Sequence, residues 1–211
     1  MSKTLIVSYL PNPYSQTKKV LEHFVAAAKG KTTIVERNLV KNPAPAFDET
    51  SLAAYLQRGF QGKTLDGVYA SSLKPFDALI EEISGVDNIV FAFPTHNWSE
   101  PGVVKTYIDA ILQAGKTIKY DEKGQAHGQL PNLKAFVTFA SGGVYDTGHP
   151  RATIQHAFTF YLNAIGITDI TFAAVGGTLL GDDSTSKSVT AAQAIVDGVI
   201  TRWYGAAKAS A

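Results

Sequence analysis

The chain has 211 residues, 45% of them hydrophobic and 18% charged, so it carries enough apolar side chains to bury the core of one domain. Its 19 lysines and arginines nearly balance 18 aspartates and glutamates, and a net charge of +1 argues against a nucleic-acid-binding protein or a polybasic membrane anchor. The lack of cysteine excludes disulfides, thiolate catalysis, iron–sulfur clusters and cysteine-bound zinc.

Strand and helix patterns alternate along the whole sequence. In chain order they predict a strand at 5–7, a helix from 15 to 30, strand 32–39, a helix near 51–57, helix 73–83, strand 88–94, helix 103–112, strand 135–140, helix 154–162, strand 170–175 and helix 189–203. Residues 49–72, which include the predicted helix near 51–57 and the glycine-rich stretch 59–67, are expected to form an excursion of the same domain. Alternation of this kind indicates an α/β fold, in which helices cover both faces of a doubly wound parallel sheet of five strands. We expect residues 1–211 to form a single domain.

The cellular location is predicted from what the sequence lacks. No segment reaches the roughly 18 apolar residues that span a bilayer. The chain also begins with a strand-like run instead of a charged segment followed by a long apolar one. We therefore expect a cytoplasmic protein that has no membrane segment and binds no nucleic acid.

The loop after the first strand has the composition of an anion site. It passes through Tyr14 and Ser15 into a helix that begins with Gln16 and Thr17. Hydroxyls and unbonded N–H groups at a helix N-terminus, together with the positive end of the helix dipole, bind phosphate groups well. The alternative is that Ser15 or Thr17 only caps the helix. No G-x-G-x-x-G follows this strand, which excludes a dinucleotide-binding Rossmann domain.

Two later loops favour a ligand over a simple cap. Residues 94–98 follow the third predicted strand, and residues 140–145 follow the fourth. Because parallel strands end at one edge of the sheet, these loops and the first loop should lie together. They supply aromatic and amide side chains, and glycines that let the backbone approach a flat ring. We expect no metal site, because His149 and His156 lack a carboxylate companion.

These segments resemble the FMN-dependent NAD(P)H azoreductase and quinone oxidoreductase family, which has a flavodoxin-like fold. The resemblance covers nearly the whole chain and is carried by residues 94–101, Lys105, Asp109, 114–115, 119–120, Gly124, 142–145 and 166–169. The family usually has Met-Tyr-Asn-Phe at positions 95–98 and Ser-Arg-Gly-Gly at positions 140–143. This chain has Thr-His-Asn-Trp and Ala-Ser-Gly-Gly there, which leaves its preferred acceptor open.

The resemblance implies a noncovalent FMN bound by three segments. Its phosphate would contact residues of the first loop and the strand before it, namely Ser8, Ser15, Gln16 and Thr17. Its isoalloxazine ring would be lined by Thr95, His96, Asn97 and Trp98, and the pyrimidine side of that ring by Ala140, Ser141, Gly142 and Gly143. The expected substrate pocket consists of Trp98, Tyr120 and Tyr145.

The implied activity is a ping-pong transfer of reducing equivalents from NAD(P)H to a quinone or azo compound, with the flavin carrying the chemistry. His96 would either donate a proton or only pack beside the ring. Two other functions stay open. A flavodoxin-type electron carrier would share the FMN loops, although such carriers are usually acidic and this chain is nearly neutral. A hydrolase or phosphodiesterase would use Ser141, but no nucleophile triad or metal cluster accompanies it.

Residues 117–129 predict a projecting two-stranded excursion between a helix and the fourth strand, with Tyr120 at its base and the turn-forming pair Lys123-Gly124. An isolated two-stranded projection is marginally stable, so another surface should cover it. That surface is either a second subunit or the rest of the same domain. The resemblance implies a homodimer in which the tyrosine matching Tyr120 reaches the partner's flavin pocket.

Overall fold

A five-stranded parallel sheet with helices on both faces forms the centre of the computed structural model, which describes residues 1–205. The elements are β1 (Ser2–Ser8), α1 (Gln16–Ala28), β2 (Thr32–Asn38), α2 (Glu49–Gln61), α3 (Gly67–Ser84), β3 (Asn88–Pro94), α4 (Gly102–Ile111), β4 (Ile118–Tyr120), β5 (Ala126–Gly128), β6 (Lys134–Ala140), α5 (Thr153–Ala164), β7 (Asp169–Val175) and α6 (Asp182–Tyr204). The strand order β2-β1-β3-β6-β7, parallel throughout, confirms the predicted doubly wound sheet. The end of the predicted domain, 206–211, lies outside the described residues.

The two faces of the sheet are covered by separate cores, because side chains alternate along a strand. In β3, Phe91 and Phe93 belong to the core shared with α3, α4 and α5, whereas Val90 belongs to the core shared with α1 and α6. All three side chains are at most 1% exposed. A strand covered on both faces needs an unbroken apolar run, and this is the pattern that predicts β3. Within residues 1–205, no helix has the length and apolar composition to cross a membrane.

The register of the sheet brings four strand ends to one edge. Ser8 of β1 is aligned with Ala92 of β3, and Ala140 of β6 is aligned with both Pro94 of β3 and Val175 of β7. The loops that follow β1, β3, β6 and β7 therefore begin side by side. They lie where the chain order changes direction in the sheet, which is the usual ligand site of open α/β sheets.

The structure differs from the prediction at segment 59–67. Helix α2 continues through Gly59 to Gln61, and α3 begins at Gly67, so only residues 62–66 of this segment are irregular. A Cβ atom on Gly59 would lie 2.9 Å from the carbonyl oxygen of Ala114. This glycine therefore allows close packing inside a helix and does not end it, a difference that local sequence does not show.

The excursion at 117–129 is an antiparallel hairpin of β4 and β5 whose base packs on its own chain. The N–H of Gln129 donates to the carbonyl of Thr117 at 2.9 Å, and the N–H of Leu130 donates to the carbonyl of Ile165 at 2.8 Å. Of the two surfaces that could cover the hairpin, a second subunit or the same domain, the same domain therefore covers its base. Tyr120, at the end of β4, is 51% exposed.

Candidate functional site

A groove of about 310 Å³ lies at the carboxyl edge of the sheet, between the loops that follow β1, β3, β6 and β7. We call it the edge groove. It is lined by Pro11, Asn12, Tyr14, Ser15, Gln16, Pro94, Thr95, Ala140, Ser141, Gly142 and Thr178. Half of the residues predicted to bind the cofactor are in this set: Ser15, Gln16, Thr95, Ala140, Ser141 and Gly142. The structure therefore brings together the three segments singled out in the sequence.

One end of the edge groove is the N-terminus of α1. Ser15 caps this helix, because its hydroxyl accepts a hydrogen bond from the N–H of Lys18 at 3.4 Å. Among residues 1–205, the N–H groups of Gln16 and Thr17 have no acceptor. The first turn contains Lys18 and Lys19 and no acidic side chain. The Ser15 cap therefore leaves two N–H groups at the positive end of the helix, an arrangement that suits a phosphate. Of the two lysines, Lys18 is also paired with Glu22 at 3.8 Å.

Two buried polar atoms next to the edge groove lack partners. The Oε1 atom of Gln16 and the hydroxyl of Thr95 are inaccessible to solvent and make no hydrogen bond within the described part of the chain. Buried polar atoms are normally hydrogen-bonded, and each unpaired one costs about 1–3 kcal/mol. Both residues line the edge groove, so a ligand with several hydroxyl and phosphate oxygens fits the donors and acceptors present there.

Two predicted phosphate ligands are placed differently from the expectation. The hydroxyl of Thr17 is fully buried and donates to the carbonyl of Phe93 at 3.4 Å, so only the backbone N–H of Thr17 remains for a phosphate. Ser8 lines a separate groove with Glu36 and Asn38, between α1 and the carboxyl ends of β1 and β2. Thr17 is buried because the second residue of α1 turns its side chain toward the sheet on which the helix packs.

The loop after β3 is a tight two-residue turn at 96–99. The N–H of His96 donates to the carbonyl of Ser99 at 2.8 Å, and the N–H of Ser99 donates back at 3.0 Å. Between them, Asn97 and Trp98 have φ angles of 49° and 64°, the left-handed pair of a type I′ turn. Asparagine tolerates this conformation, but for tryptophan it stores about 1–3 kcal/mol of strain.

Side chains of α5, together with that of Glu100 just before α4, hold this turn in place. The hydroxyl of Thr153, the first residue of α5, donates to the carbonyl of Trp98. The hydroxyl of Ser99 donates to one oxygen of Glu100 at 2.5 Å, and the hydroxyl of Tyr161 donates to the other at 3.2 Å. Burial and the negative charge of Glu100 raise the pKa of Tyr161 to about 12, so this hydroxyl stays a donor at neutral pH.

A second cavity of about 240 Å³ lies beside the edge groove, next to the loop that follows β6. We call it the side cavity. Trp98 and Tyr145, two of the predicted substrate residues, line it, and Thr95 and Ser141 line both the side cavity and the edge groove. The ring of Tyr145 lies directly on Gly143, where a Cβ atom would be 2.5 Å from the tyrosine oxygen. The glycine thus makes room for an aromatic ring of the chain itself.

Four other predicted residues line neither space. They are His96, Asn97, Gly143 and Tyr120. The side chain of His96 is exposed, and its ring contacts that of Tyr9 edge to face, with centroids 6.0 Å apart. The Tyr120 ring lies on the outer surface with its centroid 6.4 Å from that of Phe60.

Sequence reasoning missed three residues of the site. Asn12 shapes the first loop, since its Oδ1 accepts from the N–H of Tyr14 at 2.9 Å. Thr178, after β7, lines the edge groove and donates to the carbonyl of Ser141 at 3.1 Å. The rule that parallel strands end at one edge applies to the fifth strand too, and it would have found Thr178. The third is Glu100, a carboxylate that is only 8% exposed. The feature of the sequence that could have identified it is its position just before Pro101, at the start of a helix.

A family described as having a flavodoxin-like fold matches residues 2–198 of the chain. The chain is 31% identical over 201 residues to FMN-dependent NADH:quinone oxidoreductase 1 of Photobacterium profundum, which covers 94% of this chain and 99% of the relative. It is also 31% identical over 206 residues to the FMN-dependent NADH:quinone oxidoreductase of Cronobacter sakazakii, covering 95% and 100% of the two chains. The chain belongs to the flavodoxin-like family and, within it, to the group that contains these quinone oxidoreductases, which confirms the resemblance.

Solved structures agree with this membership. The azoreductase of Bacillus anthracis strain Sterne superposes with a TM-score of 0.85 at 27% identity, and the match covers 96% of this chain and 100% of the azoreductase. An FMN-dependent NADH-azoreductase of Bacillus anthracis strain Ames Ancestor, solved in complex with FMN, superposes with a TM-score of 0.84 at 26% identity, covering 97% and 100% of the two chains.

Proposed function

We propose that this protein is an FMN-dependent oxidoreductase that transfers reducing equivalents from NADH or NADPH to quinones and azo compounds. The edge groove carries the proposal. Its anion-binding helix end and its unpaired polar atoms suit a phosphate with a hydroxylated chain attached. The names of the relatives supply the cofactor and the two acceptor classes.

The proposed FMN site extends along the edge groove from the phosphate to the flavin ring. Ser15, Gln16 and the N–H of Thr17 would hold the phosphate. Thr95 and Ser141 line both spaces, so they would bind the polar chain between the phosphate and the ring. When bound, FMN accepts a hydride from the nicotinamide and passes the reducing equivalents to the acceptor. FMN is favoured over FAD because the sequence has no fingerprint for the second nucleotide.

The protein's own contribution to turnover would be orientation. Trp98 and Tyr145 border the side cavity and offer flat apolar surfaces, against which a nicotinamide or a flat acceptor would stack. In a ping-pong cycle the two substrates use this surface in turn, so neither needs a pocket of its own. A second cavity beside the edge groove favours an enzyme over a simple electron carrier, because a carrier needs no space for a nicotinamide or a flat acceptor.

We also propose that the protein is a homodimer. Leu52, Leu56 and Phe60 are spaced one helical turn apart on α2, are 45%, 44% and 59% exposed, and continue into Tyr120 of the hairpin. An exposed apolar strip of this kind requires a covering surface, and a second copy would bring Tyr120 to the other subunit's site. A cytoplasmic location remains part of the proposal, because the lack of cysteine fits a reducing compartment.

The function is tested first by the visible absorption spectrum of the purified protein, before and after addition of FMN or FAD. We expect a flavin spectrum with FMN and steady oxidation of NADH in the presence of a quinone or an azo dye. FMN binding without steady NADH oxidation would support the electron carrier. A colourless protein with esterase or phosphodiesterase turnover would support the hydrolase.

The dimer is tested by sedimentation across a dilution series, run beside the NADH oxidation assay. Replacing residues 118–129 by a short turn should weaken dimerisation and lower turnover together, while the first loop still binds FMN. A fully active monomer at assay concentration would contradict a site shared between two subunits.

A further inference from the structure

Glu100 is a buried carboxylate whose partners are hydroxyl groups. It is 8% exposed and accepts hydrogen bonds from Ser99 and from Tyr161. No lysine, arginine or histidine nitrogen of residues 1–205 lies within 4.0 Å of it. The nearby ammonium of Lys105 is paired with Asp109. Burying a charge without a cationic partner is costly, so this position calls for a role that an apolar residue would not fill.

The contacts of Glu100 connect a strained segment to a rigid one. On one side, Ser99 closes the turn in which Trp98 adopts its left-handed conformation. On the other side, Tyr161 belongs to α5, a helix fixed in the core by Ile154, Phe158 and Leu162. A strained backbone persists only where its surroundings hold it. The Glu100 bridge and the Thr153 hydrogen bond are both side-chain contacts between this turn and α5.

We propose that Glu100 is a positioning residue that holds the 96–99 turn, and through it Trp98, in the geometry required at the edge of the site. The proposal rests on the proposed function for its catalytic consequence. Its structural content, the orientation of Trp98, is independent of any cofactor. Since Pro101 fixes the backbone that follows and α4 begins at Gly102, Glu100 is held at its backbone and only its side chain is needed to bridge to α5.

The test uses tryptophan fluorescence, because the chain has two tryptophans and Trp203→Phe leaves only Trp98. In that background we compare Glu100→Ala, Glu100→Gln, Tyr161→Phe and the Glu100→Ala/Tyr161→Phe pair. The amide of glutamine can still bond both hydroxyls, so Glu100→Gln separates the bridge from its charge. The matched control is Glu82→Ala, which removes a carboxylate bonded by Arg37 at 3.0 Å in a different part of the fold.

We expect Glu100→Ala to shift the emission of Trp98 in the FMN-free protein and to increase its quenching by acrylamide. In the same variant kcat/KM for one half-reaction should fall about tenfold, while the dissociation constant for FMN should change less than about twofold. Glu100→Gln should bring the Trp98 fluorescence and the functional measurement most of the way back to the wild-type values. The pair should be no worse than Glu100→Ala alone, since both changes break one bridge. Glu82→Ala should lower the melting temperature without changing Trp98 emission.

The proposal is overturned if Glu100→Ala leaves Trp98 emission and quenching unchanged, or changes them no more than Glu82→Ala does. It is also overturned if the effects of Glu100→Ala and Tyr161→Phe simply add. A wild-type protein that binds no FMN would defeat the proposed function instead, and the fluorescence of the FMN-free variants would still decide the role of Glu100.

Discussion

The first loop and the 96–99 turn lie at the same edge of the sheet but are held in different ways. The first loop is stabilised from within: the N–H of Ser15 donates to the carbonyl of Asn12 at 3.1 Å, and no residue between 10 and 15 has a positive φ. The turn has two left-handed residues, and the groups that hold it come from 55 and 61 positions away along the chain.

The difference separates two tasks. The first loop offers a fixed set of N–H groups to an anion, and short-range contacts are enough to form it. The turn presents the large side chain of Trp98 in a conformation that the backbone resists, so packing against α5 must supply the difference. Changes in the first loop should therefore affect cofactor affinity, and changes in the turn should affect turnover.

The largest effect should come from a charge in the first loop. Ser15→Asp keeps a good helix cap but places a carboxylate against the proposed phosphate. Like charges about 4 Å apart repel by about 4 kcal/mol near a protein surface. We expect the dissociation constant for FMN to rise at least about a hundredfold with an unchanged melting temperature. Ser15→Asn, an uncharged cap, is the control. Titration of the FMN-free variants with FMN measures the dissociation constants, and thermal unfolding measures the melting temperatures. Wild-type affinity in Ser15→Asp would show that the phosphate binds elsewhere.

The second prediction separates strain from function at position 98. Trp98→Gly and Trp98→Ala remove the same aromatic ring, but only glycine adopts the left-handed conformation freely. Trp98→Gly should be more stable than Trp98→Ala by about 1 kcal/mol in urea unfolding. Both should lower kcat/KM for one half-reaction about tenfold, with FMN content nearly unchanged. If stopped-flow rates of both half-reactions match the wild type, Trp98 is not part of the substrate pocket.

A smaller effect is expected when one tether of the turn is removed. Thr153→Val deletes the hydroxyl that donates to the carbonyl of Trp98 with little change in volume. A neutral hydrogen bond contributes about 1 kcal/mol, so kcat/KM for the acceptor should fall about fivefold while FMN affinity changes less than twofold. Thr106→Val is the control, because that hydroxyl bonds the carbonyl of Gly102 within α4. Equal losses in the two variants would show that the tether does not matter.

The smallest effect concerns the β4–β5 hairpin, which is held locally like the first loop. The side chain of His127 and the N–H of Gln125 bond the carboxylate of Asp121 and lower its pKa below 3.8. Because the folded-state pKa is depressed, the contribution to stability is present above pH 3.8 and is lost as pH falls through the lowered value. The amide resonances of Lys123 and Gln125 should shift in this range. In Asp121→Asn they should not shift, and a transition in that variant would assign the effect to another group.

The sequence by itself determined the sheet and the first loop. The unbroken apolar run of β3 predicts a strand buried on both faces, and Ser15 between β1 and a helical pattern predicts a helix start capped by a hydroxyl. Both are properties of neighbouring residues, since strand periodicity and helix capping act over a few positions. The family resemblance followed from other segments, chiefly residues 94–101 and 142–145, and the comparisons confirmed it.

Only the tertiary structure decided the features that depend on contacts between residues distant along the chain. Gly59 continues a helix because Ala114 packs on it, and the hydroxyl of Thr17 turns to the carbonyl of Phe93. Trp98 keeps a left-handed backbone next to Glu100, whose partner Tyr161 lies 61 positions further along the chain. Local propensity argues against the glycine in α2 and the tryptophan in the turn. They persist because packing and hydrogen bonds between distant segments outweigh a local cost of about 1–3 kcal/mol.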